Sequence, residues 1–345
     1  MRVALIEFYA WHHECLYSQM QFLHASSCDV LLIADVSKQK YVEQWLPEYC
    51  KVFYFNFKQL SSFWKLRSLL KRECIDKIVL NTAQGSRALK FCLLPPISGV
   101  EMVGTIHNTE KLTKSFGQKL INRRIHKYYI LADYLRHSIP KNIDNQYAVC
   151  YAVFLPRQKV AEIVKPQGEC WISIPGYVEY KRRDYHYLLR LANALKSCEG
   201  KKRIKFIVLG NTSKSDGPHF VSEIREQNLM DYFVTFDSFV SDDVFNAYIE
   251  QSDAIMPLIH PDIPSADKYT KYKISGAFNL ALSHNKVMLC HSMFQEVPEF
   301  NYPALFYATP EYAIDLITQL PQPAPTSLSI TDFETNRVAY MSLLK

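Results

Sequence analysis

Short apolar runs alternate with longer segments of helical period along this chain, and that alternation constrains the fold more than any other feature. Residues 2–8, 29–34, 51–55, 77–80 and 102–107 are too short for helices and apolar on successive positions, as strands buried on both faces are. The segments between them, such as 60–74 with Trp64, Leu66, Leu69 and Leu70, repeat at the helical period. Strand–helix alternation predicts βαβ units, a parallel sheet covered by helices on both faces, and ligands at the carboxyl ends of the strands. His12, His13, Glu14, His107 and Asn108 fall at such ends.

A second series follows the proline-bearing piece 155–167. Strands are predicted at 170–174, 204–209, 232–236, 254–259 and 287–290, with a helix whose core face is Leu188, Leu191, Ala192 and Leu195. The chain therefore reads as two doubly wound α/β domains, 1–160 and 161–330. Pro321-Gln-Pro-Ala-Pro325 breaks the last helix of the second. Residues 333–344 form one more helix, with Phe333, Val338, Met341 and Leu344 lacking a local surface, so the tail 331–345 is expected to return to the first domain.

Composition narrows the class. At 345 residues, 48% hydrophobic and 21% charged, the chain is globular and has the length of two domains. No window reaches the ~18 apolar residues of a membrane span, and Glu7 interrupts the first apolar run too early for a secretory leader. Nine cysteines, an odd number without a Cys-x-x-Cys pair, predict reduced thiols, no zinc site and a cytoplasmic location.

Residues 269–290 have the parts of an anion site. Lys271 and Lys273 precede Ser275, Gly276 and Ala277, small residues at a helix start whose unpaired N–H groups and dipole favour a phosphate. An ordinary capped helix with solvated lysines has the same pattern. Arg182 and Arg183 follow a strand ending at Gly176 and are a second source of phosphate contacts, with a solvated basic run as the alternative.

Four elements of the second half occur in the order and spacing of one large family: Ile174-Pro-Gly176 through Arg183; Phe206-Ile-Val-Leu-Gly210; Val234 to Phe245; and Ser252-Asp-Ala-Ile-Met-Pro257. The chain thus resembles the group 1 (family 4) glycosyltransferases. The resemblance implies the GT-B fold, in which two Rossmann-like domains face a cleft, the first binding acceptor and the second nucleotide-sugar. It also implies that His107 faces the sugar. The family's glutamate pair would fall at Lys273 and at Leu280 or Ala281, and its first-domain glycines are replaced by His12-His13-Glu14, so retention at the anomeric carbon does not carry over. If the enzyme inverts, His13 or Glu14 is the general base; the plainer reading is a helix first turn. His12 and Asn108 are assigned to the acceptor side. The absence of any Asp-x-Asp leads to an expectation of no metal and no cofactor, with lysines and helix ends neutralising the diphosphate.

The expected function is a metal-independent hexosyltransferase that passes sugar from a nucleotide-sugar donor to a saccharide or lipid-linked acceptor in cell-surface glycan synthesis. A nucleotide-sugar epimerase and a silent GT-B scaffold are the alternatives. Between Lys111 and Lys127 lie six lysines and arginines and no acid, with Phe116, Leu120, Ile121 and Ile125 as an apolar stripe. A basic amphipathic helix of this kind suits an anionic membrane surface, so the location is the cytoplasm with peripheral attachment. No nucleic-acid module is present in the sequence.

Overall fold

A computed structural model describes residues 1–141, 145–156, 160–197, 203–300, 304–320 and 329–345. The chain divides into two compact units, Met1–Arg157 with Lys271–Lys273 and Ser327–Lys345, and Gln158–Thr270 with Ile274–Thr326.

The first unit is built on strands β1 (Arg2–Glu7), β2 (Asp29–Asp35), β3 (Lys51–Phe55), β4 (Lys77–Leu80), β5 (Glu101–Ile106), β6 (Lys127–Ile130) and β7 (Gln146–Val149). They pair in parallel in the order β3-β2-β1-β4-β5-β6-β7. Side chains alternate across the sheet, so Ala4 and Ile6 enter one core while Val3 and Leu5 enter the other. Helices α1 (Glu14–Ala25) and α2 (Gln39–Glu43) cover the Val3 side through Leu16, Met20 and Val42. Helices α3 (Ser61–Arg72), α4 (Gly85–Cys92), α5 (Lys111–Lys114) and α6 (Phe116–Asn122) cover the Ala4 side through Phe63, Leu66, Phe91, Leu112 and Ile121.

Strand order reverses between β1 and β4, which opens a crevice at their carboxyl ends where loops leave toward opposite faces.

The second unit repeats the plan with β8 (Glu169–Pro175), β9 (Arg203–Asn211), β10 (Phe233–Phe236), β11 (Ala254–Ile255), β12 (Val287–His291) and β13 (Ala304–Tyr307), in the parallel order β10-β9-β8-β11-β12-β13. Its helices are α7 (Tyr185–Lys196), α8 (Gly217–Glu226), α9 (Asp242–Gln251), α10 (Ala266–Lys271), α11 (Gly276–Ser283) and α12 (Pro310–Thr318). The final helix, α13 (Phe333–Met341), packs on the first unit. Tyr340 stacks on Tyr129 at 4.3 Å, Tyr129 Oη donates to Tyr340 O (2.7 Å), and Phe333 meets Phe22 and Phe154.

Four expectations need correction. Strands β6, β7 and β13, four residues each, were not anticipated. The basic helix between Lys111 and Lys127 is not one helix. Ser115 is extended (φ −112°, ψ 118°) and separates α5 from α6, and Lys127 stands on β6, paired with Glu101 at 2.9 Å. The apolar stripe is divided as well: Ile121 and Ile125 are core, whereas Phe116 is 77% exposed. The strand expected at 254–259 stops at Ile255, and Leu258 adopts a left-handed φ of +54°. In α13 Val338 faces solvent, and Tyr340 and Met341 with the following Leu343 and Leu344 are buried. The expected break at Pro321–Pro325 lies outside the described residues.

Candidate active site

The sequence places polar residues where the crevice of the first unit opens. Chain leaving β1 forms the loop that enters α1, and within it His12 has φ +64°, an uncommon value for a residue with a side chain. His107 ends β5. The two imidazoles stack with centroids 3.7 Å apart and planes 18° apart.

His107 is buried, and its Nε2 lies 2.7 Å from the carbonyl oxygen of Asn81. A carbonyl only accepts, so the proton is on Nε2 and Nδ1 carries the lone pair. Burial, reinforced by the charge of His12, lowers its pKa to about 3, so the ring is neutral at physiological pH. His12 Nδ1 faces Glu14 Oε1 at 3.6 Å. Desolvation opposes ionisation of Glu14, but the adjacent imidazole of His12, with the charge of His13, outweighs it and holds the carboxyl at about 2. A carboxylate on Nδ1 leaves the Nε2 of His12 as the group that takes a proton.

His13 does not join this pair. It sits at the N-cap of α1, with its ring edge-on to Tyr41 at 4.2 Å and its buried Nδ1 without a hydrogen-bond partner among the described residues. Burial lowers its pKa to about 4. Asn108 closes a local turn, its Oδ1 accepting from Glu110 N–H (3.1 Å) and its own N–H donating to Gln84 Oε1 (3.3 Å).

Sequence reasoning missed the residues beneath the histidines. Glu7, the last residue of β1, is 1% exposed. It accepts from Tyr9 N–H (2.7 Å), Asn81 Nδ2 (2.5 Å) and Thr82 Oγ1 (2.6 Å). Burial nevertheless pushes its carboxyl up to about 7. The available signal was an acid closing an otherwise apolar strand.

In the second unit Ser275 caps α11, its Oγ accepting from Ala277 N–H (3.3 Å), and Gly276 has nothing within 4 Å of where a Cβ would stand. The space over Gly276 at this helix start is therefore open among the described residues. Lys271 and Lys273 belong to the first unit: Tyr272 O accepts from Thr109 N–H (2.9 Å) and Lys273 O from Tyr134 Oη (2.9 Å). Gly176 has φ +107° and lies under the Arg183 guanidinium, and a Cβ on Gly210 would strike Gly176 O, so both strand-end glycines permit close backbone approach. Arg183 Nη1 donates to Pro257 O (2.8 Å) and Arg182 pairs with Glu179 at 2.7 Å, so both arginines already have protein partners. A buried chain of Asp184, His260 and Tyr307, with His260 2.8 Å from each neighbour, secures the loop after β11; it too escaped sequence reasoning.

No protein-family model and no curated protein sequence matches this chain. Solved structures do. A UDP-N-acetylglucosamine 2-epimerase aligns over 100% of this chain and 95% of its own, with TM-score 0.63 and 11% identity. Sucrose-phosphate synthase from Thermosynechococcus elongatus aligns over 99% and 94% (TM-score 0.60, 14% identity). A glycosyltransferase from Rickettsia africae aligns over 99% and 93% (TM-score 0.59, 11% identity). The fold is GT-B. In this GT-B chain the polar cluster of the first unit stands at the β1/β4 reversal, and the open helix start of the second leads into β12, two strands from β8.

Proposed function

We propose that this chain is a glycosyltransferase that moves a hexose from a nucleotide-sugar to a saccharide or lipid-linked acceptor in the synthesis of a cell-surface glycan. The observation that carries the reading is the His12–Glu14 pair stacked on tautomer-fixed His107 in a GT-B chain. Glu14 keeps a proton on His12 Nδ1. His12 Nε2 then takes the proton of the acceptor hydroxyl while that oxygen attacks the anomeric carbon. The bond from that carbon to the phosphate oxygen breaks, and its electron pair leaves with the nucleoside diphosphate. His107 Nδ1 accepts a hydrogen bond from a sugar hydroxyl. Ser275, Gly276 and Ala277 offer the diphosphate the N-terminus of α11, and lysines such as Lys273, without a metal ion, supply the positive charge. The general base assigned at first to His13 or Glu14 thus passes to His12, with Glu14 as its partner.

The protein works in the cytoplasm and attaches to anionic membrane through Lys114, Lys119 and Arg123, which are exposed beside Phe116. Among the described residues no helix is long and apolar enough to cross a membrane.

Epimerisation of the nucleotide-sugar is the second reading. The structural likeness to a UDP-N-acetylglucosamine 2-epimerase favours it. Incubation with UDP-, GDP-, CMP- and dTDP-sugars separates the two. Transfer, or slow leakage to water, releases nucleoside diphosphate, whereas epimerisation changes the sugar and leaves the nucleotide attached. Neither product from any donor overturns both.

A further inference from the structure

A buried carboxylate is expensive to maintain, because several kcal/mol of hydration are lost and only good partners restore them. Glu7 has such a position and, among the described residues, no lysine or arginine in ion-pair contact. Nothing in the sheet calls for it: Ala4, Leu5 and Ile6 before it are apolar and fully buried. What the carboxylate does is visible in its partners.

Asn81 Nδ2 donates both to Glu7 Oε2 (2.5 Å) and to the carbonyl oxygen of His12 (2.7 Å). One amide group therefore links Glu7 to the residue with left-handed backbone. The Oδ1 of the same Asn81 accepts from Gln19 Nε2 (2.5 Å), which excludes the flipped amide. Thr82 has a single hydroxyl proton, and it goes to Glu7 Oε2 (2.6 Å). Only a lone pair then faces His107 Nε2, 3.5 Å away, in agreement with the proton that the Asn81 carbonyl requires on that nitrogen.

We propose that Glu7 is a positioning residue. Through Asn81 it fixes the backbone of His12, and through Thr82 it orients a hydroxyl against His107, so that the stacked pair, whose tautomer the Asn81 carbonyl sets, keeps one geometry. This rests on the transferase reading for its kinetic consequence and not for its structural one. Glu7 itself touches no substrate.

The test uses the full chain and two variants. Glu7→Gln turns one acceptor oxygen into a donor, which then faces either Tyr9 N–H or the pair Asn81 Nδ2 and Thr82 Oγ1. Thr82→Val removes only the hydroxyl, and Thr82→Ser keeps it. Long-range nitrogen–proton NMR of the imidazoles should show His107 as a single Nε2–H tautomer in the wild type and in Thr82→Ser. Glu7→Gln and Thr82→Val should shift and broaden the His12 and His107 ring signals, with His107 still the Nε2–H tautomer that the Asn81 carbonyl sets, and should lower kcat about ten- to a hundredfold with nucleoside diphosphate affinity unchanged. Unshifted, sharp ring signals with wild-type kcat in both variants would overturn the proposal. Should Glu7→Gln fail to fold, Thr82→Val decides. If the wild type turns over no nucleotide-sugar, the transferase reading fails while the imidazole ring signals still judge Glu7.

Discussion

The imidazole of His12 lies flat against that of His107, 3.7 Å away, although the two residues belong to loops leaving different strands, β1 and β5. Stacking of this kind holds only if both backbones are fixed. Asn81 holds one by accepting His107 Nε2–H on its main-chain oxygen and the other by donating from its side chain to His12 O.

His12→Gln should reduce kcat by about 10²–10⁴-fold with little change in nucleoside diphosphate affinity, because a general base acts in the transition state. His13→Gln should change kcat less than tenfold, since its ring packs against Tyr41. Steady-state kinetics on both variants checks this, and equal losses would return the base to His13.

Gly276→Val should weaken binding of the nucleoside diphosphate about ten- to a hundredfold at unchanged stability. Among the described residues no heavy atom lies within 4 Å of a Cβ at this position, and the side chain occupies the space an anion needs. Lys273→Ala should have a comparable effect if its ammonium reaches the phosphates, about 1.5–3 kcal/mol for a charged contact. Calorimetry that finds both variants unaffected would place the diphosphate elsewhere.

The stability difference between Glu7→Gln and wild type should depend on pH. The carboxyl is raised from 4.5 to about 7 in the folded chain, so between those values the folded state binds more protons than the unfolded. Glu7 therefore destabilises as pH rises through that window, by up to about 3 kcal/mol. His13 and His107, lowered to about 4 and about 3, act in the opposite direction, losing stability as pH falls below 6.5, and they cancel in the comparison of variant with wild type. Urea unfolding at pH 5 and pH 8 should show the variant gaining on wild type at the higher pH; a constant difference would mean that Glu7 titrates normally.

Tyr340→Ala should cost the first unit about 3–5 kcal/mol, the range for removing a buried aromatic side chain. The lost contacts are the Tyr129 stack and the hydrogen bond to Gln19 Oε1 (3.2 Å). A melting temperature within 1–2 °C of wild type would argue that α13 contributes little.

Charge reversal at Lys119 and Arg123 should abolish salt-sensitive binding to anionic vesicles and leave melting unchanged, since both are exposed. Equal binding of the wild type to neutral and anionic vesicles would show a merely solvated face.

Alternation of apolar runs with helical periods, a local property, was enough to determine two parallel α/β sheets and most of their strands. It placed His107 and the loop 12–14 at strand carboxyl ends, because such ends can be counted along the chain, and there the structure stacks His12 on His107. It also marked the tail as foreign to the second unit, and α13 does pack beside α1. Only the tertiary structure decided which polar side chains act together. Glu7, Asn81, Thr82 and His107 stand at the carboxyl ends of three strands, and their hydrogen bonds span up to 75 residues of sequence. Burial, and not residue type, raises the Glu7 carboxyl, just as a neighbour, and not composition, decides that Glu14 partners His12 while His13 turns to Tyr41. The basic stretch failed for the same reason: helical period survives in its spacing, but Ser115 is extended and Lys127 found a strand partner and Glu101. Local pattern specifies elements; low-dielectric contact between distant elements specifies chemistry.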